Sequence, residues 1–371
     1  MTLGRAKRRN DHRRPPTVTL KEVAEASGVS TMTVSNVIHD RPNVSAAQRE
    51  RVQDQIKRLG YVPNRAAQEL AGVAYPRFGL LYSDVRNPFI ASVIVGSLSA
   101  ASRLHVDISI QLARLNDPEA LKDTIRRMVD SGAEGFLLPS PIAEFAALTF
   151  KGNALPVPAI AIAPGFPIPG MASVRCDERQ AAFELVSMLL DLGHRKIGCM
   201  VGPKAQTGTV ARYEGYCAAL RSRGIDPRPE HVVRSEFRFQ EGVQAADGLL
   251  QRKPRVTAIF AENDTLAASV LAAAHSRGIA VPEALSVVGY DDSPIAEQVW
   301  PPLTTVRQDA GAMTERAVEV LSQNVRAWRA DQSSHTAQDV LLPYEIVRRS
   351  SIAKVTGSPR DRRSRAKLDR S

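Results

Sequence analysis

The sequence is poor in the groups on which secreted proteins and most enzymes depend. Its three cysteines, Cys176, Cys199 and Cys217, lie far apart with no C-x-x-C pair, which excludes a disulfide framework and offers no zinc spacing. Aromatic residues make up only 5% of the chain, against 43% hydrophobic residues overall, a balance that suits an Ala/Val/Leu-rich α/β protein better than a β-sandwich. No run of about 18 apolar residues occurs, so no membrane-spanning helix is expected. The basic opening MTLGRAKRRNDHRRPP is followed by no apolar stretch of the kind a signal peptide needs, and a cytoplasmic protein without a membrane partner is expected. The spacings H-E-x-x-H, G-x-S-x-G, G-x-G-x-x-G and Walker A are all missing, and the near miss GPKAQTGT from Gly202 lacks the G-K-[ST] that phosphate binding requires. The sequence therefore offers no catalytic residue, no metal site and no cofactor, and a non-enzyme is expected. Its seven histidines are scattered. His194, before a strand, reads as a structural hydrogen-bonder, and Cys199, within one, as a small buried hydrophobe.

What is present is length and an uneven charge. At 371 residues the chain can hold a small domain and a two-lobed one. Residues 1–72 carry 13 Lys/Arg against 7 Asp/Glu, and residues 353–371 carry 7 against 2, while the stretch between them is close to neutral at 29 against 30. A basic head neutralises phosphates and a neutral body does not. The outermost runs, 1–16 and 351–371, have the composition of solvated tails that cannot bury a core.

From Thr17 the sequence reads as three short amphipathic helices. Thr19 with Glu22 and Ser45 with Gln48 have capping-box spacing, and Ser30 can cap a helix from about Thr31 to Ile38. Leu20, Val23 and Ala24 share one face of the first helix, Val34, Val37 and Ile38 one face of the second, and Val52, Ile56 and Leu59 one face of the third. Gly28 supplies a turn that tolerates positive φ between the first two, and small Ala24 lets them approach. This is the pattern of a helix-turn-helix, with Thr31, Met32, Ser35 and Asn36 facing outward from the second helix. Asn36 suits an adenine edge, Thr31 a base or thymine methyl, and Met32 apolar contact. An ordinary helical hairpin with its polar face in water would show the same short pattern.

Beyond Gly72, apolar runs alternate with helical stretches: FGLLYS from Phe78, VDISIQ from Val106, GFLLP from Gly135, AIAIA from Ala159, KIGCMVG from Lys196, VTAIFAEND from Val256 and LSVVGYDD from Leu285. Seven such units predict parallel sheets in two doubly wound lobes. Ligands of such folds sit at the carboxyl ends of strands, which draws attention to Asp84, Asn263, Asp264, Asp291 and Asp292. Each could equally be a helix N-cap.

Longer motifs narrow the reading. Residues 17–72 match V-T-L-K-E-V-A, A-S-G-V-S, T-V-S, L-G-Y-V-P-N and A-A-x-x-L, and the body carries D-V-R-N-P-F, D-L-G-H-R-K-I, A-E-N-D, S-V-V-G-Y-D-D and P-P-L-T-T-V. Together these resemble the LacI/GalR family of transcriptional regulators. The resemblance implies an architecture of a helix-turn-helix head over 17–63, a hinge helix and linker over 64–75, and an effector-binding and dimerisation body over 76–350 built like periplasmic sugar-binding proteins. It implies DNA contacts from Thr19, Ser30, Thr31, Met32, Ser35, Asn36, His39, Tyr61, Asn64, Ala67 and Leu70, with Asn64 capping the hinge helix and Leu70 wedged between base pairs. Asn36 departs from relatives that carry Arg there, so a different operator half-site is expected. For the effector the resemblance implies Phe89, Arg212, Phe237, Asn263 and Asp291, a set suited to a polyhydroxylated ring. The expected protein is thus a homodimeric repressor on palindromic operator DNA, controlled by a carbohydrate. No acid follows the strand AIAIAPG, as it does in some sugar-responsive members, and no leucine heptad follows Ala353 to build a tetramer. A solute-binding protein of transport is the alternative that the body alone permits, and an α/β enzyme acting on a sugar is a second. Activation and co-repression stay open beside repression.

Overall fold

The computed structural model describes residues 18–38, 44–61, 75–84, 86–150, 155–331 and 337–355. The chain divides into two compact units between Tyr75 and Pro76.

Among the described residues the first unit holds three helices, α1 (Leu20–Ser27), α2 (Thr31–Ile38) and α3 (Ala46–Leu59). Thr19 begins α1 with a complete capping box: its hydroxyl accepts from the Glu22 N–H, and its own N–H donates to the Glu22 carboxylate at 2.6 Å. Ser45 forms only half of one, because its hydroxyl takes up the Gln48 side chain that would have reached back to the Ser45 N–H. Gly28 follows α1 at φ 64°, a left-handed conformation that ends the helix at little cost for a residue without Cβ. Val23, Ala24, Val34, Val37 and Val52 form the core these helices share, as their spacing predicts.

The second unit contains two parallel sheets. In the first lobe the strands β1 (Arg77–Tyr82), β2 (Asp107–Leu112), β3 (Gly135–Pro139), β4 (Ala159–Ile162), β5 (Ala172–Arg175) and, from far along the chain, β11 (Asp339–Leu341) lie in the order β11-β5-β4-β3-β1-β2. Helices α4 (Pro88–Leu104), α5 (Pro118–Asp130) and α6 (Ile142–Phe150) connect them, and α12 (Ala310–Ala330) packs on the same sheet through Met313, Ala317 and Leu321. The second lobe orders β6 (Ile197–Val201), β7 (Val232–Arg234), β8 (Ala258–Ala261) and β9 (Ser286–Val288) as β7-β6-β8-β9. Its principal helices are α7 (Glu178–Asp191), α8 (Thr207–Arg221), α9 (Phe239–Gln251) and α10 (Asp264–Ser276), with a single short turn, α11 (Ile295–Gln298), before β10 (Thr305–Arg307). That strand pairs antiparallel with β12 (Glu345–Val347). All seven apolar runs of the sequence are strands.

The chain passes between lobes three times: after β5 at Cys176–Asp177, after β10 at Gln308–Asp309, and between β11 and β12 at Leu342–Tyr344. In each sheet the strand order reverses, at β1/β3 in the first lobe and at β6/β8 in the second, and the loops after those four strands face one another. Open α/β sheets bind ligands at such switch points.

One boundary needs correction. The tail expected from residue 351 begins later, because Ser351 is fully buried and its hydroxyl donates to the Val287 carbonyl, while Val355 N–H donates to the Leu192 carbonyl at 3.0 Å. Composition alone missed this, since the segment attaches through its backbone, one serine and the single apolar side chain of Ile352, which packs against the second-lobe core. His194 is the structural hydrogen-bonder expected of it: Nδ1 meets the Thr257 hydroxyl at 2.9 Å, and Nε2 meets Ser286 Oγ and the Ala353 carbonyl at 3.1 Å each. Cys199 lies within β6, wholly buried.

Candidate functional site

On the head, α2 buries Val34 and Val37 and turns Thr31 and Met32 to solvent, with Met32 65% exposed, while Ser35 and Asn36 are partly accessible. Ser30 caps this helix, its hydroxyl accepting from the Thr33 N–H at 3.1 Å. The N-terminal half of α2 is therefore a rigid, capped and polar face bearing one apolar side chain. Thr19 is exposed but occupied by its capping box. Tyr61, expected at the DNA, is 8% exposed and its ring completes the head core; burial raises its hydroxyl pKa. His39, Asn64, Ala67 and Leu70 lie outside the described residues.

In the body, the loops at the two switch points enclose a cleft of about 730 Å³. Ser83, Asp84, Asn87 and Ser140 line it from the first lobe, and Lys204, Gln206, Phe237 and Thr265 from the second. On the first rim Arg86 holds Asp84 with two bonds of 2.9 and 2.7 Å and keeps that carboxyl below its ordinary range; Arg238 acts on it from the opposite lobe, beside its own partner Glu241. Phe237 forms part of the second wall, over Gly202, where any Cβ would come within 2.3 Å of the ring. The glycine is what lets the ring come this close to the end of β6.

Where the chain crosses between lobes there is a buried cluster of charge. Arg212, on α8, is 7% exposed. Its Nε and Nη2 both donate to the Glu178 carboxylate, its Nη1 donates to the Glu262 carbonyl, and Nη2 lies 3.6 Å from Asp291 Oδ1. The guanidinium also covers the Tyr290 ring, 3.8 Å from its centroid. Burial opposes this charge, but Glu178 and Asp291 more than offset it, so the guanidinium stays protonated. The acids fare differently. Burial pushes Glu262 up to about 8, Asp264 to about 7 and Asp291 to about 6. Asp291 accepts from Gln308 Nε2 at 2.6 Å, and Gln308 accepts from Cys176 Sγ at 3.6 Å, which links the first two crossings to the Arg212 cluster. Asp291 and Asp292 both adopt positive φ, at 101° and 53°, so this loop is held in a costly conformation by its bonds.

The five expected effector residues are thus only partly brought together. Arg212 and Asp291 meet, and Asn263 follows the carbonyl that Arg212 holds, but Asn263 Oδ1 caps α10, accepting from the Leu266 N–H at 2.9 Å. Arg212 and Asn263 line neither cavity described here. Phe237 faces the large cleft, whereas Phe89 faces a smaller cavity of about 300 Å³ shared with Asp291 and Gln308. Glu178 and Glu262, which fix Arg212, were not among the expected residues. Glu178 directly follows the N-cap Asp177, where an acid reads as an ordinary helix start; Glu262 lies in the motif A-E-N-D, in which the family resemblance marks only Asn263.

Comparison with known proteins agrees with this geometry. Residues 19–64 match the family model for bacterial regulatory proteins of the lacI family, and residues 186–352 match a periplasmic binding protein-like domain. The chain is similar to catabolite control protein A of Priestia megaterium, with 31% identity over 90% of this chain and 99% of that protein. Among solved structures it resembles a lac repressor dimer bound to operator and the anti-inducer ONPF, with 27% identity, a TM-score of 0.71 and coverage of 91% of this chain and all of that one. A complex of the transcriptional regulator CelR with cellobiose gives 28% identity, a TM-score of 0.65 and the same coverage. Among the described residues, no helix is long and apolar enough to cross a membrane. A capped reading helix and a two-lobed body with a cleft at its paired switch points, joined in a sequence alignable almost end to end with such regulators, make this chain a member of the LacI family of sequence-specific, DNA-binding transcriptional regulators.

Proposed function

We propose that the protein is a homodimeric repressor on a palindromic operator and that a carbohydrate in the interlobe cleft sets its grip on DNA. The observation that carries the ligand reading is the cleft itself. Its volume of about 730 Å³ suits a mono- or disaccharide, and it combines an aromatic wall at Phe237 with hydrogen-bonding groups from both lobes. Cations and anions pair around its rim, so no net charge selects an ionic ligand. The cellobiose bound by CelR and the operator held by the lac repressor dimer support the same reading. Arg212, Asp291, Asn263, Phe237 and Phe89 remain the effector set proposed, with Arg212 and Asp291 acting at the crossings where lobe closure is felt. On the head, Thr31, Met32, Ser35 and Asn36 read the major groove, and Leu70 supplies the wedge in the minor groove.

The test is selection of DNA from a random pool by the full chain, followed by titration in the presence of a sugar panel. An inverted repeat bound at least 1,000-fold more tightly than random duplex is expected, with one sugar both raising the melting temperature and weakening that binding. A protein that selects no inverted repeat, or one whose DNA affinity no sugar alters, overturns the proposal.

A further inference from the structure

We infer that Glu144 is a positioning residue for the cleft: from the first lobe it caps the opening turn of a helix in the second, and so clasps the lobes at a fixed closure. Helix α8 begins without a side-chain cap from its own N-terminus, since its N-cap residue Gln206 makes no capping bond through its side chain. The first N–H groups of a helix need an acceptor. Thr207 N–H finds one at Glu144 Oε1, 3.4 Å away and across the lobe boundary, and the Thr207 hydroxyl donates to the same oxygen at 2.6 Å. Ser140, on the first lobe, steadies that oxygen from behind with a 2.8 Å bond. The Thr207 hydroxyl in turn accepts from the Gly165 N–H of the first lobe at 2.8 Å, so one hydroxyl joins two separate first-lobe segments to the second lobe.

The clasp is tight in its backbone as well. A Cβ on Gly165 would lie 2.2 Å from the Thr207 carbonyl oxygen and 2.5 Å from the Gly208 nitrogen, so the lobes approach this closely only because residue 165 has no side chain. Glu144 is 9% exposed, and its second oxygen, Oε2, is buried without a hydrogen-bond partner. A carboxyl group left half satisfied in this way costs free energy unless its other contacts hold it there. The segments it joins are those that line the cleft: Ser140 and Pro141 run directly into the Glu144 helix, and Lys204, Ala205 and Gln206 run directly into Thr207. A molecule seated between them cannot move one wall without moving the clasp. This inference rests on the cleft being the regulatory site, but the clasp itself can be measured without DNA or ligand.

Hydrogen exchange on the full chain is that measurement. Thr207→Val and Glu144→Ala are each expected to speed exchange at least tenfold in peptides covering 164–166 and 203–209, with the strands of both sheets unchanged. Thr207→Ser, which keeps the hydroxyl, is expected to stay within twofold of wild type. Gly165→Ala, which forces the lobes apart while leaving every clasp side chain in place, is expected to match Thr207→Val. Exchange unchanged within twofold, or faster exchange spread evenly over the body, overturns the clasp. On DNA selected by the wild-type protein, the three disruptive variants are expected to change operator Kd by at least fivefold and Thr207→Ser by less than twofold; unaltered affinity overturns the link to DNA binding. A protein that selects no DNA at all overturns the regulator reading, while the exchange result still decides the clasp.

Discussion

Replacing Glu262 by glutamine tests whether the body carries a proton at neutral pH. Glu262 follows β8, is fully buried, and takes one hydrogen bond at Oε2, from the Gly202 N–H at 2.8 Å, while Oε1 is without a partner. Burial pushes its pKa up to about 8 against the opposing pull of that N–H, Arg212 and Arg234. In the unfolded chain the same carboxyl ionises near its ordinary value of 4.5. A folded-state pKa above the unfolded one gives a stabilisation that is complete below the unfolded value and is lost as pH rises through the folded one. At about 1.4 kcal/mol per pKa unit, the wild-type body loses on the order of 3 kcal/mol from this group between about pH 5 and about pH 8. Glutamine has nearly the same shape and no proton to lose, so Glu262→Gln removes that slope whatever constant offset its amide adds. Urea unfolding of the full chain, followed by circular dichroism across this range, reads the difference. The gap between the wild-type and variant curves should change by about 3 kcal/mol in favour of the variant as pH rises. Parallel curves would show the carboxyl ionised throughout, paired with Arg212 in spite of its burial, and would refute the reasoning.

Two further outcomes follow from the geometry. Arg212→Ala strands Glu178 and Asp291 without their cation and should cost about 3–5 kcal/mol of body stability by the same unfolding assay; a loss below about 1 kcal/mol would mean that the cluster simply sheds its charge. Thr19→Ala removes the hydroxyl that accepts from the Glu22 N–H and donates to its carboxylate, leaving only the backbone half of the α1 capping box, and should cost the head about 1 kcal/mol, read as faster hydrogen exchange over residues 20–38 with the body unaffected.

The sequence made the head legible because its signals are local. A cap, a glycine and three apolar stripes lie within a few residues of one another, and Thr19, Gly28, Ser30, Val34 and Val52 all do what their spacing says. The long strands were legible for the same reason. Strands β5, β7 and β10 to β12 were not, for each is only three or four residues long and carries a charged residue, whereas the equally short β4, β8 and β9 are wholly uncharged. The hinge cluster was half legible. Arg212 and Asp291 are brought together from 79 positions apart, and only the resemblance to a family marked them; nothing near Glu178 or Glu262 distinguishes them from an ordinary acid beside a helix start. Glu144 was less visible still, because its partner Thr207 is 63 residues away on a different lobe. Tyr61 shows the converse: its motif is plain in the sequence, but its packing into the head core is seen only in the structure.

The stretch 351–355 has a practical consequence. Val287 and Ser351 exchange bonds along β9, which is the outermost strand of the second sheet, and Ala353 completes the partners of His194. Trimming the chain to residue 350 would bare a strand edge of the sort that recruits other chains and would leave an imidazole short of an acceptor. A soluble truncation should keep Val355, and a purification tag is better placed after it than in exchange for it.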